Sequence, residues 1–319
     1  MNVLRTASVS ESEASAALRP SAIDNPRLSR FPRVFYSFDE LEPAVEQAIA
    51  GRLERGESVR QIIVAPRQKL LDAHKAQRWR SLFLPWVWTP DWVLALTNHR
   101  MLVATIDHPR TAPSVTSIRT EDILSFEWGA ILLHSWIEWT QASQGRVERT
   151  RVHFNSVGQN LFKRVLDSQR HDLAAQTGRV AERQDRRLAY LADLPLKFLN
   201  LITIELLLPD EQVQAVVFQP AVWTRHRGIL RRQKAAALAL VLSNYHILVA
   251  QEELTGRPDS WGLVTRFYPL DRVRQVTLEQ EQDTLWLNLV LEAQSTQQQA
   301  RIRFEPDAQT ALQELLALL

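Results

Sequence analysis

The sequence contains no cysteine in its 319 residues, so disulfides and thiolate metal sites are excluded. Glycine is scarce, with nine residues, so we do not expect the glycine-rich loops that cradle nucleotide phosphates. No run of eighteen apolar residues occurs, and no transmembrane helix is therefore predicted. The amino-terminal stretch lacks the apolar core of a secretory signal, which favours a cytoplasmic protein.

The sequence also lacks the short motifs of common hydrolases and metalloenzymes. Its eight histidines show no HxxxH or HExxH pairing, and it has no GxSxG stretch. Asp91, Glu121 and Asp122 are candidates for an acid–base pair, but turn and cap positions account for them more simply. We therefore expect no enzyme, no metal and no cofactor. The net charge of +2 is too small to indicate a nucleic-acid partner.

The clearest positive feature is a stretch that occurs twice. Residues 94–104 read LALTNHRMLVA and residues 240–250 read LVLSNYHILVA, with six identical positions. Each copy has a polar turn, centred on Asn98 or Asn244, between two apolar runs. Asparagine tolerates the left-handed backbone that tight turns require. Each copy therefore predicts a β-hairpin with its asparagine in that conformation.

The similarity extends along both halves of the chain. Residues 57–66 match residues 211–220 at an offset of 154, and residues 151–154 match residues 301–304 at an offset of 150. Because the offsets drift by only a few residues, we expect the differences to lie in loops. The many short apolar runs with turns between them favour antiparallel sheets over a parallel sheet.

The pattern predicts two similar domains with a linker between them. Residues 1–33 lack periodicity and are expected to form a disordered tail. Residues 34–170 form the first domain, residues 171–194 a charged helical linker, and residues 195–319 the second domain. The first domain opens with a helix at about 37–53, where Ser37 and Glu40 suit a capping box.

The helix that opens the second domain is predicted at about 195–207. We expect this apolar helix to pack the two domains together as one unit, because it is too apolar to stand in water. Trp136 and Trp139 are three residues apart on a predicted strand, so they point to opposite faces of a sheet. One of these faces is expected to pack in a core, and the other is available for an interface.

The order of these elements resembles the pleckstrin-homology superfold, most closely the bacterial PH-like and GRAM-like domains. Residues 96–103, LTNHRMLV, are similar to a hairpin of that group, and residues 269–273, PLDRV, are similar to the segment that follows it. The resemblance implies a tandem pair of mainly β (α+β) domains, each an antiparallel barrel or sandwich closed by a C-terminal helix. It also implies binding of lipids, peptides or partner domains instead of catalysis. The second copy departs from the first by having His246 in place of Arg100.

The connection between the first two strands of each domain holds the candidate binding residues. It spans residues 67–91, which are basic and tryptophan-rich, and residues 221–236, which are arginine-rich. In lipid-binding members of the resembled group this connection contacts phosphate. Basic side chains attract anionic headgroups, and tryptophan favours the membrane interface. The candidates are Lys75, Arg78, Arg80, Trp86 and Trp88 in the first copy, and Arg225, Arg227, Arg231, Arg232 and Lys234 in the second.

Two functions remain open. The favoured one is a non-enzymatic tandem module that binds a protein partner or self-associates through its sheet faces and its apolar helix. The alternative is peripheral binding to anionic lipid at the inner face of the membrane, through residues 67–91. In the first case the apolar stretch of that loop packs between the two domains, with its charges as a solvated rim.

Overall fold

The structure is a computed structural model that describes residues 30–71, 86–107, 112–131, 133–176, 189–226, 230–252 and 262–319. Over these ranges the protein is mainly β, with several antiparallel sheets and a few helices. This confirms the expected mainly β class, although none of the sheets in the described ranges closes into a barrel. Most of the predicted tail lies outside the described residues.

The first half of the chain contains strands β1 to β10 and helices α1 and α2. Short 3₁₀ turns precede α1, β8 and α2, at Phe38–Glu40, Thr120–Asp122 and Ser156–Gly158. The bounds are β1 Arg33–Phe35, α1 Pro43–Ala50, β2 Val59–Ala65, β3 Lys69–Leu71, β4 Trp86–Trp88, β5 Asp91–Thr97, β6 Met101–Ile106, β7 Ser114–Ile118, β8 Ile123–Ile131, β9 His134–Ser143, β10 Arg146–Asn155 and α2 Gln159–Gln176.

The second half repeats this order with strands β11 to β19 and helices α3 and α4. A π-helix, Leu201–Leu206, continues α3, and 3₁₀ turns lie at Ala189–Leu191 and Pro306–Ala308. The bounds are α3 Leu196–Asn200, β11 Val213–Gln219, β12 Val222–His226, β13 Leu230–Ala235, β14 Leu238–Ser243, β15 His246–Glu252, β16 Leu263–Pro269, β17 Val273–Glu281, β18 Thr284–Ala293, β19 Thr296–Phe304 and α4 Gln309–Leu316.

The strands form three large sheets and two additional hairpins. The first sheet has the order β1-β2-β5-β6-β7, the second β10-β9-β8-β16-β15-β14-β11, and the third β17-β18-β19. The hairpins β3-β4 and β12-β13 extend the connection between the first two long strands of each half. Since β8 pairs with β16, with Phe126 opposite Phe267, the second sheet contains strands from both halves.

The main hydrophobic core is also shared between the two halves. It combines Leu94 of the first sheet and Phe162 of α2 with Phe198, Val241 and Phe267 of the second half. A second core lies between the second half's part of the shared sheet, the third sheet and α4, and also includes Leu124 of β8 and Ala142 of β9. A third, smaller core lies between α1 and the outer face of the first sheet. The two halves are therefore packed together through the apolar region that includes α3, as its sequence predicts.

The two opening helices are shorter and less regular than expected. The first consists of the 3₁₀ turn and the eight residues of α1, and Ser37 accepts a hydrogen bond from the Asp39 amide without a reciprocal bond from Glu40. The second has one α-helical turn followed by the π-helix, with Phe198 and Ile202 buried. Pro43 at the start of α1 suits the first helical turn, where its missing N–H leaves no bond unmade.

The duplicated asparagines have the same contacts in both halves. Asn98 Oδ1 accepts a hydrogen bond from the Ser58 backbone amide at 3.0 Å, and the Asn98 backbone amide donates to the Ser58 carbonyl. Asn244 makes the same pair of bonds with Gln212. Neither asparagine has a positive φ, so the predicted left-handed conformation is wrong. The side chain is required instead as a clamp that joins the turn to the start of the preceding strand.

Each clamp lies next to a buried glutamate. In the first half, Glu57 accepts hydrogen bonds from the Thr97 hydroxyl at 2.7 Å and from Arg100 at 2.9 and 3.0 Å. The side chain of Glu57 has no exposed surface. The hydrogen bonds from Arg100 lower the pKa of Glu57 to about 2, despite the opposing effect of burial. This carboxylate therefore stays ionised and fixes the ends of three strands.

In the second half, Glu211 occupies the equivalent position with different partners. It accepts from the Ser243 hydroxyl at 2.6 Å and from the Leu208 amide at 3.0 Å, and lies 2.8 Å from His246 Nδ1. The cation is Arg170, which reaches Glu211 at 2.8 Å from α2 of the first half. Burial raises the pKa of Glu211, but His246 and Arg170 outweigh it and hold the pKa at about 2.

The fully buried Arg170 thus ties the two halves together. Its guanidinium also donates to the Leu206 carbonyl at 2.7 Å and lies 4.1 Å from the centre of the Phe267 ring. Burial lowers the pKa of His246, and we assign its imidazole as neutral, with Nδ1–H donating to Glu211. The buried charges of the site are then the Glu211 carboxylate and the Arg170 guanidinium, and the partly exposed Asp167 lies 3.3 Å from Arg170.

We predict that Arg170→Met destabilises the protein by about 3–5 kcal/mol, because it leaves the Glu211 carboxylate buried without its cation. Urea unfolding followed by circular dichroism would measure the change. Arg164→Met is the matched control, since Arg164 is exposed on the same helix and should change stability by less than about 0.5 kcal/mol. Equal losses in the two variants would contradict the assigned role of Arg170.

Candidate functional site

Most of the sequence-predicted binding residues fall where side chains are not described. Lys75, Arg78, Arg80 and Arg227 lie outside the described residues. Four more lie on the additional hairpins, where the structure describes the backbone but not these side chains: Trp86 on β4, Arg225 on β12, and Arg231 and Arg232 on β13.

Trp88 and Lys234 are the two candidates whose side chains are described. Trp88, at the end of β4, is 57% exposed and lies under the Arg67 guanidinium, 5.1 Å from the ring centre. It is therefore not packed between the two halves. Lys234 on β13 donates to Glu305 at 2.7 Å, so its charge is already paired within the second half.

Trp88 forms one wall of a cleft of about 360 Å³ on the outer face of the first sheet. Four adjacent strands each contribute one apolar residue to its floor: Phe35 from β1, Val64 from β2, Val93 from β5 and Ile106 from β6. The helix α1 covers the neighbouring part of this face through Val45 and Ile49. The cleft therefore lies where the short helix leaves the apolar sheet face uncovered.

The rim of the cleft is predominantly acidic. Among the described residues that line it, four are acidic and two are basic: Glu40, Glu42, Asp91 and Asp107, against Arg33 and Arg67. Asp91 Oδ1 accepts from the Arg67 backbone amide at 2.6 Å. Within the described part of the chain, none of these four carboxylates forms an ion pair. An apolar floor with an acidic rim suits a ligand that carries both an apolar group and a positive charge.

The sequence contains only weak signals of this cleft. Glu40 is a candidate for helix capping and Asp91 a candidate acid, but nothing in the sequence indicates that the two residues lie at the same cleft. The apolar floor is a set of ordinary strand residues whose alternation predicts burial under a helix. The partial exposure of Phe35, Val64 and Ile106 depends on where α1 begins and ends, and helix ends are poorly fixed by local sequence.

The buried cluster around Glu211 contains the residue types of a catalytic triad, but their arrangement differs from that of a triad. Its other members are Ser243 and His246. Both Ser243 and His246 bind the same oxygen of Glu211, and the Ser243 hydroxyl oxygen lies 3.0 Å from the His246 carbonyl. All three residues are buried. A nucleophile needs a base on its hydroxyl and access for a substrate. This cluster therefore holds the turn, and its geometry is not that of a nucleophile with its base.

Two histidines, His134 and His153, lie beside Trp136 on the face of the shared sheet opposite the main core. Trp139 points into the core and donates to Gln169 at 2.6 Å, whereas Trp136 lies on the other face, as predicted from their spacing. The Trp136 ring covers Gly129 so closely that a Cβ there would lie 2.1 Å from it. His134 and His153 stack beside Trp136 with ring nitrogens 2.9 Å apart.

Comparisons of the chain with protein-family models, with curated proteins and with solved structures find no match. The resemblance to PH-like domains therefore stays a prediction. Within the described ranges, no group of three or more metal-ligating side chains is arranged to hold an ion. The helices of the same ranges include none with the length and apolar character needed to cross a bilayer.

We predict that the protein loses stability on mild acidification. Burial lowers the pKa of His134 to about 4, and burial together with neighbouring His134 and Arg151 lowers that of His153 to about 3. Because the unfolded chain protonates first, at about 6.5, this contribution is complete above pH 6.5 and is lost as pH falls towards 4. Each histidine adds a slope of up to about 1.4 kcal/mol per pH unit.

Urea unfolding at a series of pH values would measure this slope. The double variant His134→Gln/His153→Gln should show a flatter dependence between pH 6.5 and 4 than the original protein, whatever its absolute stability. His171→Gln, at an exposed position on α2, is the control and should leave the slope unchanged. An unchanged slope in the double variant would show that these histidines do not titrate differently on unfolding.

Proposed function

We propose that the protein is a non-enzymatic tandem PH-like module whose first half binds a segment of a protein partner in the cleft beside Trp88. In support of the PH-like assignment, each half has four long strands, then three strands, then a closing helix. This order matches the element order on which the sequence resemblance depends. The assignment implies binding instead of catalysis, by analogy with that superfold.

The observation that carries the proposal is the composition of the cleft. Its volume is within the usual range for ligand sites, roughly 300–1,000 Å³. The exposed Trp88 is of a residue type that often anchors binding interfaces. Four carboxylates on the rim repel an anionic headgroup but attract basic side chains. A protein segment with apolar and basic residues satisfies both the floor and the rim.

We predict that Val64→Phe abolishes partner binding, because the larger phenyl ring takes up space on the floor where the partner would pack. Affinity capture from a lysate of the source cells, with quantitative mass spectrometry, would compare this variant with the original chain. Val147→Phe is the matched control: it makes the same change at an exposed residue on β10. A partner captured by the original chain and the control, but not by Val64→Phe, is the expected result.

The charge reversal Glu40→Lys/Glu42→Lys provides a second variant at exposed positions that should fold normally. It should reduce capture of the same partner, since it replaces attraction of basic side chains by repulsion. Capture that is insensitive to both cleft variants would overturn the proposed site.

A second function is favoured by a feature that both halves share. Trp88 and Trp223, which is 42% exposed, both lie on the additional hairpins next to arginine-rich sequence. Exposed tryptophan beside basic residues is typical of proteins that lie on anionic membranes. The second candidate is therefore peripheral membrane binding through the two hairpins.

If the hairpins bind membranes, Trp88→Ala/Trp223→Ala should reduce flotation with phosphatidylglycerol vesicles by about tenfold or more, since two interfacial rings are removed. Flotation should also fall at high salt, because the basic residues are then screened. Leu133→Ala, at an exposed residue between β8 and β9, is the control. No flotation of the original protein at low salt would exclude this candidate.

A further inference from the structure

The second half contains a filled counterpart of the cleft. There the same outer sheet face, formed by β11, β14 and β15, is covered by α3 and its π-helix and belongs to the main core. Phe198 of α3 is 2% exposed and packs edge-on against Phe218 of β11, with ring centres 5.3 Å apart. This aromatic pair occupies the space that lies open in the first half.

The two sites correspond residue by residue. Val64 matches Phe218 at the offset of the first long strand, which is 154. The buried pair Val45 and Ile49 of α1 has the same spacing of four as the buried pair Phe198 and Ile202. The first half therefore has valine at both positions where the second half has phenylalanine. The cleft exists because two aromatic rings are missing from it.

The charges near the two sites correspond as well. In the second half, Lys197 is adjacent to Phe198 and donates to Glu252 at the end of β15, at 2.9 Å. Ile106 is the equivalent of Glu252 at the hairpin offset of 146, and Asp107 follows it on the rim of the cleft. The first half thus keeps a carboxylate close to this place, and no lysine is among the described residues that line the cleft.

We infer that the cleft recognises a partner segment in which an aromatic residue is adjacent to lysine or arginine. The aromatic ring would pack on Val64 and Val45 as Phe198 packs on Phe218, and the cation would reach the carboxylates of the rim. The inference rests on the proposed function and specifies the chemistry of the partner. The chain itself thereby provides a template for its ligand, the sequence Leu194–Asn200, LPLKFLN.

A fluorescein-labelled peptide with this sequence is the probe, and fluorescence anisotropy with the full-length protein is the measurement. We expect saturable binding that weakens about tenfold or more when the phenylalanine of the probe is replaced by alanine, because a buried ring is lost. Replacing the lysine of the probe by glutamate should weaken binding by a similar factor, because the rim then repels the probe.

Variants of the protein locate the binding. Val64→Phe should weaken binding of the original probe about tenfold or more, and Glu40→Lys/Glu42→Lys should do so through charge alone. Val147→Phe is again the control and should bind as the original protein does. Equal affinity for the original and the alanine probe, or unchanged affinity after both cleft changes, would overturn the inference.

The outcome separates this inference from the proposed function. If Val64→Phe abolishes capture of a partner but the probe does not bind, the cleft is a protein site with a different preference, and the inference is wrong. If neither partner capture nor probe binding depends on the cleft variants, the proposed function is wrong as well. Binding of phosphatidylglycerol vesicles that Val64→Phe abolishes would likewise overturn the inference, since the occupant would be a lipid.

Discussion

The buried carboxylate of Glu211 constrains how the two halves of the chain fit together. A fully buried charge is costly unless a counter-charge and hydrogen bonds satisfy it. Arg170 provides that charge from the last helix of the first half, and Ser243, His246 and a backbone amide provide the bonds. In the first half, the equivalent Glu57 is neutralised by Arg100, which lies in the turn between β5 and β6 of the same half. The second hairpin has His246 at that place, so its glutamate depends on the other half.

The dependence of Glu211 on Arg170 accounts for the different packing of two halves that have the same order of elements. With Arg170 in place, β16 continues the sheet of β8, and the outer face of β14 and β15 becomes part of the shared core. The second half therefore uses that face to pack against the first half. The first half has no comparable demand on its outer face, which α1 covers only in part. A binding cleft can exist there without loss of the main core.

The sequence predicts the local parts of this arrangement well. The hairpins, the mainly β class, the two opening helices and the opposite faces of Trp136 and Trp139 all follow from periodicity and repetition. The predictions fail where the structure depends on contacts between residues that are far apart in the sequence. The Asn98 and Asn244 side chains suit a left-handed turn, yet they bind backbone of another segment instead. Nothing local indicates that Arg170, a charged residue on an amphipathic helix, is fully buried, because its partner lies 41 positions later. The pairing of β8 with β16 is equally non-local.

The repeat nevertheless contains information that a single domain would not. When two copies of a motif occupy different environments, differences between them report what each environment requires. Phe198 and Phe218 are needed where the face is sealed by the chain itself, and valines at the corresponding places leave the first face incomplete. Within the described ranges the four rim carboxylates form no ion pairs, and four acidic groups close together on one rim add little to the stability of the fold. We therefore propose that a ligand completes both the packing and the charge.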